Sequence, residues 1–113
     1  MNSILDEVKK ICNVDEDETD FDTEIILDIN GEFAKLFQLG AGPKDGFFIE
    51  DNTAQWEDFT EDPVLLALVK SYVKAAVKIK FDPPKNSTHM ESLKASVAEN
   101  EWRILTHQEV KLA

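Results

Sequence analysis

Cysteine, long apolar runs and basic side chains are all scarce in this sequence. Cys12 is the only cysteine among 113 residues, so no intramolecular disulfide can form and we expect a reducing compartment. The longest uninterrupted apolar run extends from Val64 to Val69, far short of the roughly 20 residues that cross a bilayer. The first residues lack a basic segment followed by an apolar one. We therefore expect a soluble protein with no signal peptide and no membrane partner.

Basic side chains are outnumbered by acidic ones, with 12 Lys and Arg against 23 Asp and Glu and a formal charge of −11. This balance argues against nucleic-acid binding as the main role, because such binding depends on neutralising phosphates. The charge is also uneven. Residues 1 to 62 hold 18 acidic and 4 basic side chains, or −14, and residues 63 to 113 hold 5 and 8, or +3. The two halves therefore have opposite sign.

Helix caps and apolar residues at helical spacing predict an all-α fold with a single domain. The predicted helices extend from a Ser3 cap to about Cys12, from Asp22 or Thr23 to just before Gly40, from Asp62-Pro63 to Phe81, and from Asn86, Ser87 or Thr88 to about Leu105. We predict a small bundle of about four helices over residues 1 to 105, with a long irregular loop between helices two and three. Residues 106 to 113 lack a clear pattern and are predicted to form a flexible C-terminal tail.

The same spacing predicts which side chains face the core. In helix two, Asp28, Glu32 and Lys35 lie opposite the apolar stripe, so we expect them at the surface. Helix three is apolar over most of its girth, which is typical of a central helix. In helix four, Trp102 is expected to be mostly buried and to hold the helix against the bundle.

The loop between helices two and three is predicted to contact a partner. Three glycines and a proline within residues 40 to 46 force the backbone to turn. Phe47 to Ile49 is predicted as a short extended piece, and Thr53 as the cap of one helical turn. A segment this long without regular structure is usually functional or disordered, and its aromatics argue against disorder. The candidate partner-binding residues are Gly42, Pro43, Gly46, Phe47, Phe48 and Ile49.

The acidic run from Asp15 to Asp20 is the segment that most resembles a metal site. Asp15 and Asp17 occupy the first and third positions of an EF-hand-like loop. The pattern then fails, because the sixth position is Asp20 where glycine is needed and the twelfth is Ile26 where a bidentate glutamate belongs. We interpret the run as a solvated loop, with a specific metal site as the alternative.

No catalytic, cofactor-binding or metal-binding residues are predicted, and no cofactor is expected. Cys12 lies on an apolar helix face, which favours a buried structural thiol over a nucleophile. His89 and His107 are 18 positions apart without further ligands, so zinc spacing is missing and both are expected at the surface.

Lys70, Lys74 and Lys78 form a predicted cationic ridge along helix three, because they lie at i, i+4 and i+8. Within the predicted bounds of that helix, no acidic residue lies at i±3 or i±4 from any of these lysines. Like charges at this spacing repel one another, so we propose an external acidic partner, with an ordinary solvated face as the alternative.

Several segments taken in order resemble the small head-tail connector proteins of tailed bacteriophages, also called adaptor or head-completion proteins. These segments are Gly40 to Ile49, Thr53 to Phe59, Val69 to Lys74, Phe81 to Pro84 and Glu99 to Arg103. The resemblance covers residues 3 to 105. It departs from the family in helix three, which carries Ala75, Ala76 and Val77 where bulkier residues are common.

The resemblance implies a helical, non-enzymatic virion protein without catalytic residues. Members of the family assemble as a ring under the portal protein, join it to a stopper or tail-completion protein, and retain packaged DNA. A homo-oligomer, in the virion a dodecameric ring, is therefore expected, with DNA only passing through its channel. The subunit would assemble in the host cytoplasm and reside at the head-tail junction.

Two other functions remain open from the sequence. The acidic first half motivates a monomeric regulator that mimics DNA charge and occupies a basic protein site. A small enzyme or metal-binding protein is the third hypothesis, although it lacks a recognisable constellation of residues.

Overall fold

The computed structural model describes residues 3 to 112. Within them lie four α-helices and one 3-10 turn, namely α1 (Ile4–Ile11), α2 (Asp22–Gln38), the 3-10 turn (Trp56–Asp58), α3 (Pro63–Phe81) and α4 (Ser87–Leu112). This part of the chain forms no strand, and its isolated β-bridge joins Ser3 to Gln55. The predicted all-α bundle is confirmed. None of the helices described is long and apolar enough to cross a membrane.

The first and third helices begin where side chains cap the free backbone amides of the first turn. Ser3 Oγ accepts a 3.2 Å hydrogen bond from the amide of Asp6. Asp62 Oδ1 accepts bonds of 3.0 and 3.2 Å from the amides of Val64 and Leu65. Both predicted caps are therefore confirmed.

α3 is the central helix, as its wide apolar surface predicts. The other three helices and the 3-10 turn all pack against it. The fully buried residues come from every element and include Ile4, Val8, Ile25, Ile29, Phe33, Leu36, Trp56, Val69, Tyr72, Val77 and Ile104. Ala75 and Ala76 are also buried, so these two short side chains of α3 lie in the interior of the bundle.

Glu32 contradicts its predicted place on the outer face of α2. Its side chain is 1% exposed. It accepts a hydrogen bond from the hydroxyl of Tyr72 and pairs with Lys80, both on α3. A buried carboxylate needs such partners because removal from water is unfavourable for a charge. Periodicity alone placed Glu32 outside, since a spacing pattern carries no information on partners from another helix.

α4 begins at one of its predicted positions but ends later than predicted. Its cap is Asn86, whose Oδ1 accepts a 3.0 Å hydrogen bond from the amide of His89. At the other end, the helix continues past Leu105 to the end of the described residues, so the predicted helix end is wrong. Polar contacts hold this last part in place, among them a 2.8 Å bond from Gln108 Nε2 to the carbonyl of Gly40.

Trp102 is not buried, and its prediction is wrong. Its side chain is 65% exposed, whereas Ile104 is completely buried. The two residues are two positions apart, which places them about 200° apart around an α-helix. Only one of them can face the core, and α4 turns Ile104 inward.

Candidate partner-binding surfaces

A side chain of α2 anchors the loop between α2 and α3. Asn30 Oδ1 accepts a 2.8 Å hydrogen bond from the amide of Ile49, and Asn30 Nδ2 donates a 3.0 Å bond to the carbonyl of the same residue. The side-chain amide thus satisfies both backbone groups of Ile49, as a neighbouring strand would. Ile49 is 2% exposed, so its side chain belongs to the core and not to the open surface.

Close packing fixes the shape of the loop. Phe47 meets Phe59 edge-on, with 5.5 Å between ring centroids. Gly42 has a φ of +96°, and a Cβ there would lie 2.5 Å from Phe59 Cε1. The carbonyl of Pro43 accepts a 3.0 Å bond from the amide of Gly46, closing a tight turn. These four predicted partner-binding residues, Gly42, Pro43, Gly46 and Phe47, therefore position the loop.

The helical turn of the loop differs from its predicted local structure. Phe47 to Ile49 forms no hydrogen-bonded strand, and its extended conformation stays a prediction. Thr53 does not cap the 3-10 turn, since its hydroxyl and amide bond to Asp51 Oδ1 at 2.6 and 2.9 Å. The N-cap is Gln55, and Asp58 at the end of the turn accepts a 2.8 Å bond at Oδ2 from the amide of Gln55.

Phe48 is the exposed aromatic residue of this loop, with 59% of its side chain open to solvent. Asp45, Glu50 and Asp51 are exposed on either side of it in sequence. We call these four residues the loop tip. An aromatic ring held in solvent is a candidate contact point, because such rings contribute much of the binding energy when they enter a pocket of a partner.

The three lysines of the predicted ridge differ in their surroundings. Lys74 Nζ lies 2.9 Å from Glu7 of α1. Lys78 is 9% exposed and pairs with Asp82, the C-cap of α3, which the predicted helix left out. Lys70 has no ionic partner among residues 3 to 112. The premise of an unpaired ridge is therefore wrong, and an external partner for these lysines stays a prediction that depends on Lys70.

A groove of about 350 Å³ lies between the start of α3 and the second half of α4. It is lined by Val64, Leu68, Trp102, Arg103, Thr106, His107 and Val110. Trp102, Val64 and Val110 expose 65%, 56% and 69% of their side chains. Large apolar side chains gathered in one place mark a contact site, whereas single exposed ones do not. We call this site the Trp102 groove.

The groove has a defined shape because α4 is tied to the N-cap of α3. Asp62 Oδ2 lies 2.8 Å from His107 Nε2 and 3.4 Å from Lys111 Nζ. The hydrogen bond from His107, supported by the amide of Leu65, holds the pKa of Asp62 far below its usual range. The carboxylate is therefore charged at neutral pH. His107 is only partly exposed, so its prediction as a plain surface residue is wrong.

A second unexpected ion pair lies under the acidic run. Lys9 is 1% exposed and pairs with Asp22 Oδ1 at 2.8 Å. Its ammonium group also donates to the backbone carbonyls of Glu16 and Glu18. The run is exposed, as predicted, but its backbone folds around a buried cation.

The buried thiol of Cys12 has the properties of a structural side chain and not of a reactive one. Cys12 is buried as predicted, and burial raises the pKa of its thiol to about 11. A thiol with such a pKa stays protonated at neutral pH and is a poor nucleophile. Within residues 3 to 112, no group of three or more His, Cys, Asp or Glu is arranged to hold a metal ion.

Residues 4 to 111 match the family described as phage connector protein. The chain belongs to that family. The match spans nearly the whole chain and confirms the resemblance seen in the sequence, and the family is one of structural phage proteins. Comparisons with curated proteins and with solved structures gave no significant match.

The loop of this phage connector protein was expected to bind a partner, but its Trp102 groove was not predicted. Trp102, Thr106 and Val110 are spaced at i, i+4 and i+8, which places them on one side of α4. That stripe becomes visible in the sequence only when the helix is extended beyond Leu105. Because helix four was predicted to end at about Leu105, the groove was not predicted from the sequence.

Proposed function

We propose that this phage connector protein is a subunit of a ring at the head-tail junction of the virion. The ring lies beneath the portal protein and joins it to a stopper or tail-completion protein. It is a homo-oligomer, dodecameric in the virion, through which DNA passes and which helps to retain packaged DNA. The subunit is made in the host cytoplasm and has a structural role without catalysis.

The observation that carries this proposal is the family match over residues 4 to 111. Surface features support it. A ring of identical subunits needs two different surfaces on each copy, one for each neighbour. The loop tip and the Trp102 groove are two such surfaces with exposed aromatic residues.

The charge of the chain suits a channel for DNA. A net charge of −11 repels phosphates, so the protein does not hold DNA by the counterion release on which DNA-binding proteins depend. DNA can then slide past the ring during packaging and ejection, and retention depends on the joints with neighbouring proteins.

The test is to inactivate the gene in its phage and to examine the particles by electron microscopy, with the wild-type chain supplied in trans as the control. Loss of the protein should give DNA-leaking heads without tails, and the control should restore tailed particles. Purified wild-type virions should also contain the number of copies that one dodecameric ring requires. Infectious tailed particles without the protein, or virions that never contain it, would overturn the proposal.

A further inference from the structure

We propose that the Trp102 groove of one subunit receives the loop tip of the next subunit in the ring. This contact rests on the proposed function, because it requires several copies of the chain to assemble. It joins two different surfaces, so each subunit offers its groove to one neighbour and its loop tip to the other. Contacts of this kind close into a ring when the rotation between neighbours permits.

The chemistry of the groove favours an apolar occupant that carries carboxylates. Covering the exposed apolar side chains of Val64, Trp102 and Val110 removes them from water, which stabilises a complex. The titratable side chains in the lining are Arg103 and His107, and the lining itself contains no carboxylate. His107 is already bonded to Asp62, so Arg103 is the cation that remains for an occupant. Arg103 pairs with Glu99 at 3.0 Å but stays 54% exposed, and a guanidinium has donors for a second carboxylate.

The loop tip offers the matching features. Phe48 is exposed, and the exposed residues Asp45, Glu50 and Asp51 lie within three positions of it in the sequence. The groove of about 350 Å³ has room for an aromatic side chain, which would cover the exposed apolar side chains of its lining. The backbone behind Phe48 is already fixed by the two hydrogen bonds between Asn30 and Ile49. Little conformational entropy is lost when such a preorganised loop binds.

The start of the loop and the groove of one molecule meet different sides of α4. Gln108 meets the start of the loop through its 2.8 Å bond to the carbonyl of Gly40. Thr106 and Val110, which line the groove, are each two positions from Gln108 and therefore about 200° away around the helix. No loop-tip residue lines the groove of its own molecule, so the loop tip that we assign to the groove belongs to another copy.

The contact is small compared with the ~800 Å² per partner of a stable interface. One aromatic side chain with a few carboxylates therefore holds two isolated subunits only weakly. Many such contacts act together once subunits are collected on a common platform. The decisive measurement is accordingly made on assembled particles.

The test uses cysteine pairs in purified virions, with Cys12→Ser as the background. A chain with both Phe48→Cys and Trp102→Cys, treated with a short bismaleimide cross-linker, should give a ladder of covalent multimers. Each single-cysteine chain should give none. The matched control pairs Trp102→Cys with Leu27→Cys, because Leu27 is 72% exposed on α2 and outside both surfaces. That pair should give no ladder.

Variants that place a charge on either surface provide a second readout. Phe48→Glu and Trp102→Glu should each keep the helical circular dichroism of the wild type, since both residues are exposed, yet each should be lost from particles by at least tenfold. Leu27→Glu should be incorporated normally. A ladder equal to that of the Leu27 control, no ladder at all, or normal incorporation of either Glu variant would overturn the inference.

The same experiment separates this contact from the proposed function. If virions contain the wild-type protein but the Phe48 and Trp102 cysteine pair gives no ladder, the proposed ring stands and only the proposed contact is overturned. If Trp102→Cys is cross-linked to a different virion protein, the proposed contact is again overturned, and that protein is the occupant of the groove. Absence of the wild-type chain from virions overturns both proposals together.

Discussion

The hydroxyl of Tyr72 donates a 2.7 Å hydrogen bond to Glu32 Oε1 in the buried contact between α3 and α2. The same hydroxyl lies 3.3 Å from Glu101 Oε1 on α4. Burial first, and then the hydrogen bond to Glu32, raise the pKa of Tyr72 far above its usual value. The phenol therefore stays protonated and is a permanent donor between three helices.

Replacing Tyr72 with phenylalanine should destabilise the fold by about 1 to 3 kcal/mol, because it leaves a buried carboxylate without its donor. Urea unfolding followed by circular dichroism measures this loss. The double variant Tyr72→Phe with Glu32→Gln should recover part of it, since a neutral amide is easier to bury than a charge. A loss below about 0.5 kcal/mol would contradict the assigned role of the hydroxyl.

Replacing Lys9 with methionine should also destabilise the fold by about 1 to 3 kcal/mol, since two backbone carbonyls lose a charged donor and Asp22 loses its ion-pair partner. The acidic run should then be cleaved faster by proteases, because its backbone is no longer held at Glu16 and Glu18. Lys10→Met is the matched control, as Lys10 is exposed on the same helix. An equal effect of both substitutions would show that the buried cation does not organise the run.

Features of this structure that depend on neighbours in the sequence were predictable, whereas those that depend on distant residues were not. The caps at Ser3 and Asp62 act on amides two or three residues away, so short sequence motifs reveal them. Lys9 and Glu32 are buried by partners that lie far along the chain or on another helix, and spacing carries no signal for such pairs. In α4, one buried residue, Ile104, leaves too weak an apolar stripe to predict the orientation of Trp102.

Gly42 and Gly40 make a matched pair that separates backbone strain from steric overlap. Both have positive φ values, of +96° and +82°, but only Gly42 has a neighbour, Phe59, where a Cβ would lie. Gly40→Ala should therefore cost about 1 kcal/mol of stability from strain alone. Gly42→Ala should cost about 2 kcal/mol more, because the ring of Phe59 has to move. Thermal unfolding compares the two, and equal losses would show that the ring yields freely.

The pair of Asp62 and His107 predicts how stability changes with acid. The pKa of Asp62 is lowered in the folded state, so its stabilisation is complete above the unfolded pKa of about 3.9 and is lost as the pH falls through the folded value. Asp62→Asn keeps a good N-cap side chain but removes the charge. The wild type should be more stable than this variant at pH 6, and the difference should shrink progressively below about pH 4. A difference that does not change with pH would contradict the ion pair.

Trp102 and Ile104 provide the last prediction, because they are neighbours on α4 with opposite exposure. Trp102→Ala removes a large side chain that is 65% exposed, so the free energy of unfolding should fall by less than about 0.5 kcal/mol. Ile104→Ala empties a site with no exposure and should lower it by about 2 to 4 kcal/mol. Urea unfolding of the purified chains measures both values.

The same pair also separates folding from assembly. Trp102→Ala should reduce incorporation into particles although the isolated chain is as stable as the wild type, since its ring faces outward and covers apolar area only after a neighbour binds. Ile104→Ala should reduce incorporation only to the extent that it reduces the folded fraction, and growth at lower temperature should restore it. If Trp102→Ala unfolds as readily as Ile104→Ala, the indole packs on the bundle and α4 is oriented differently from the arrangement described above.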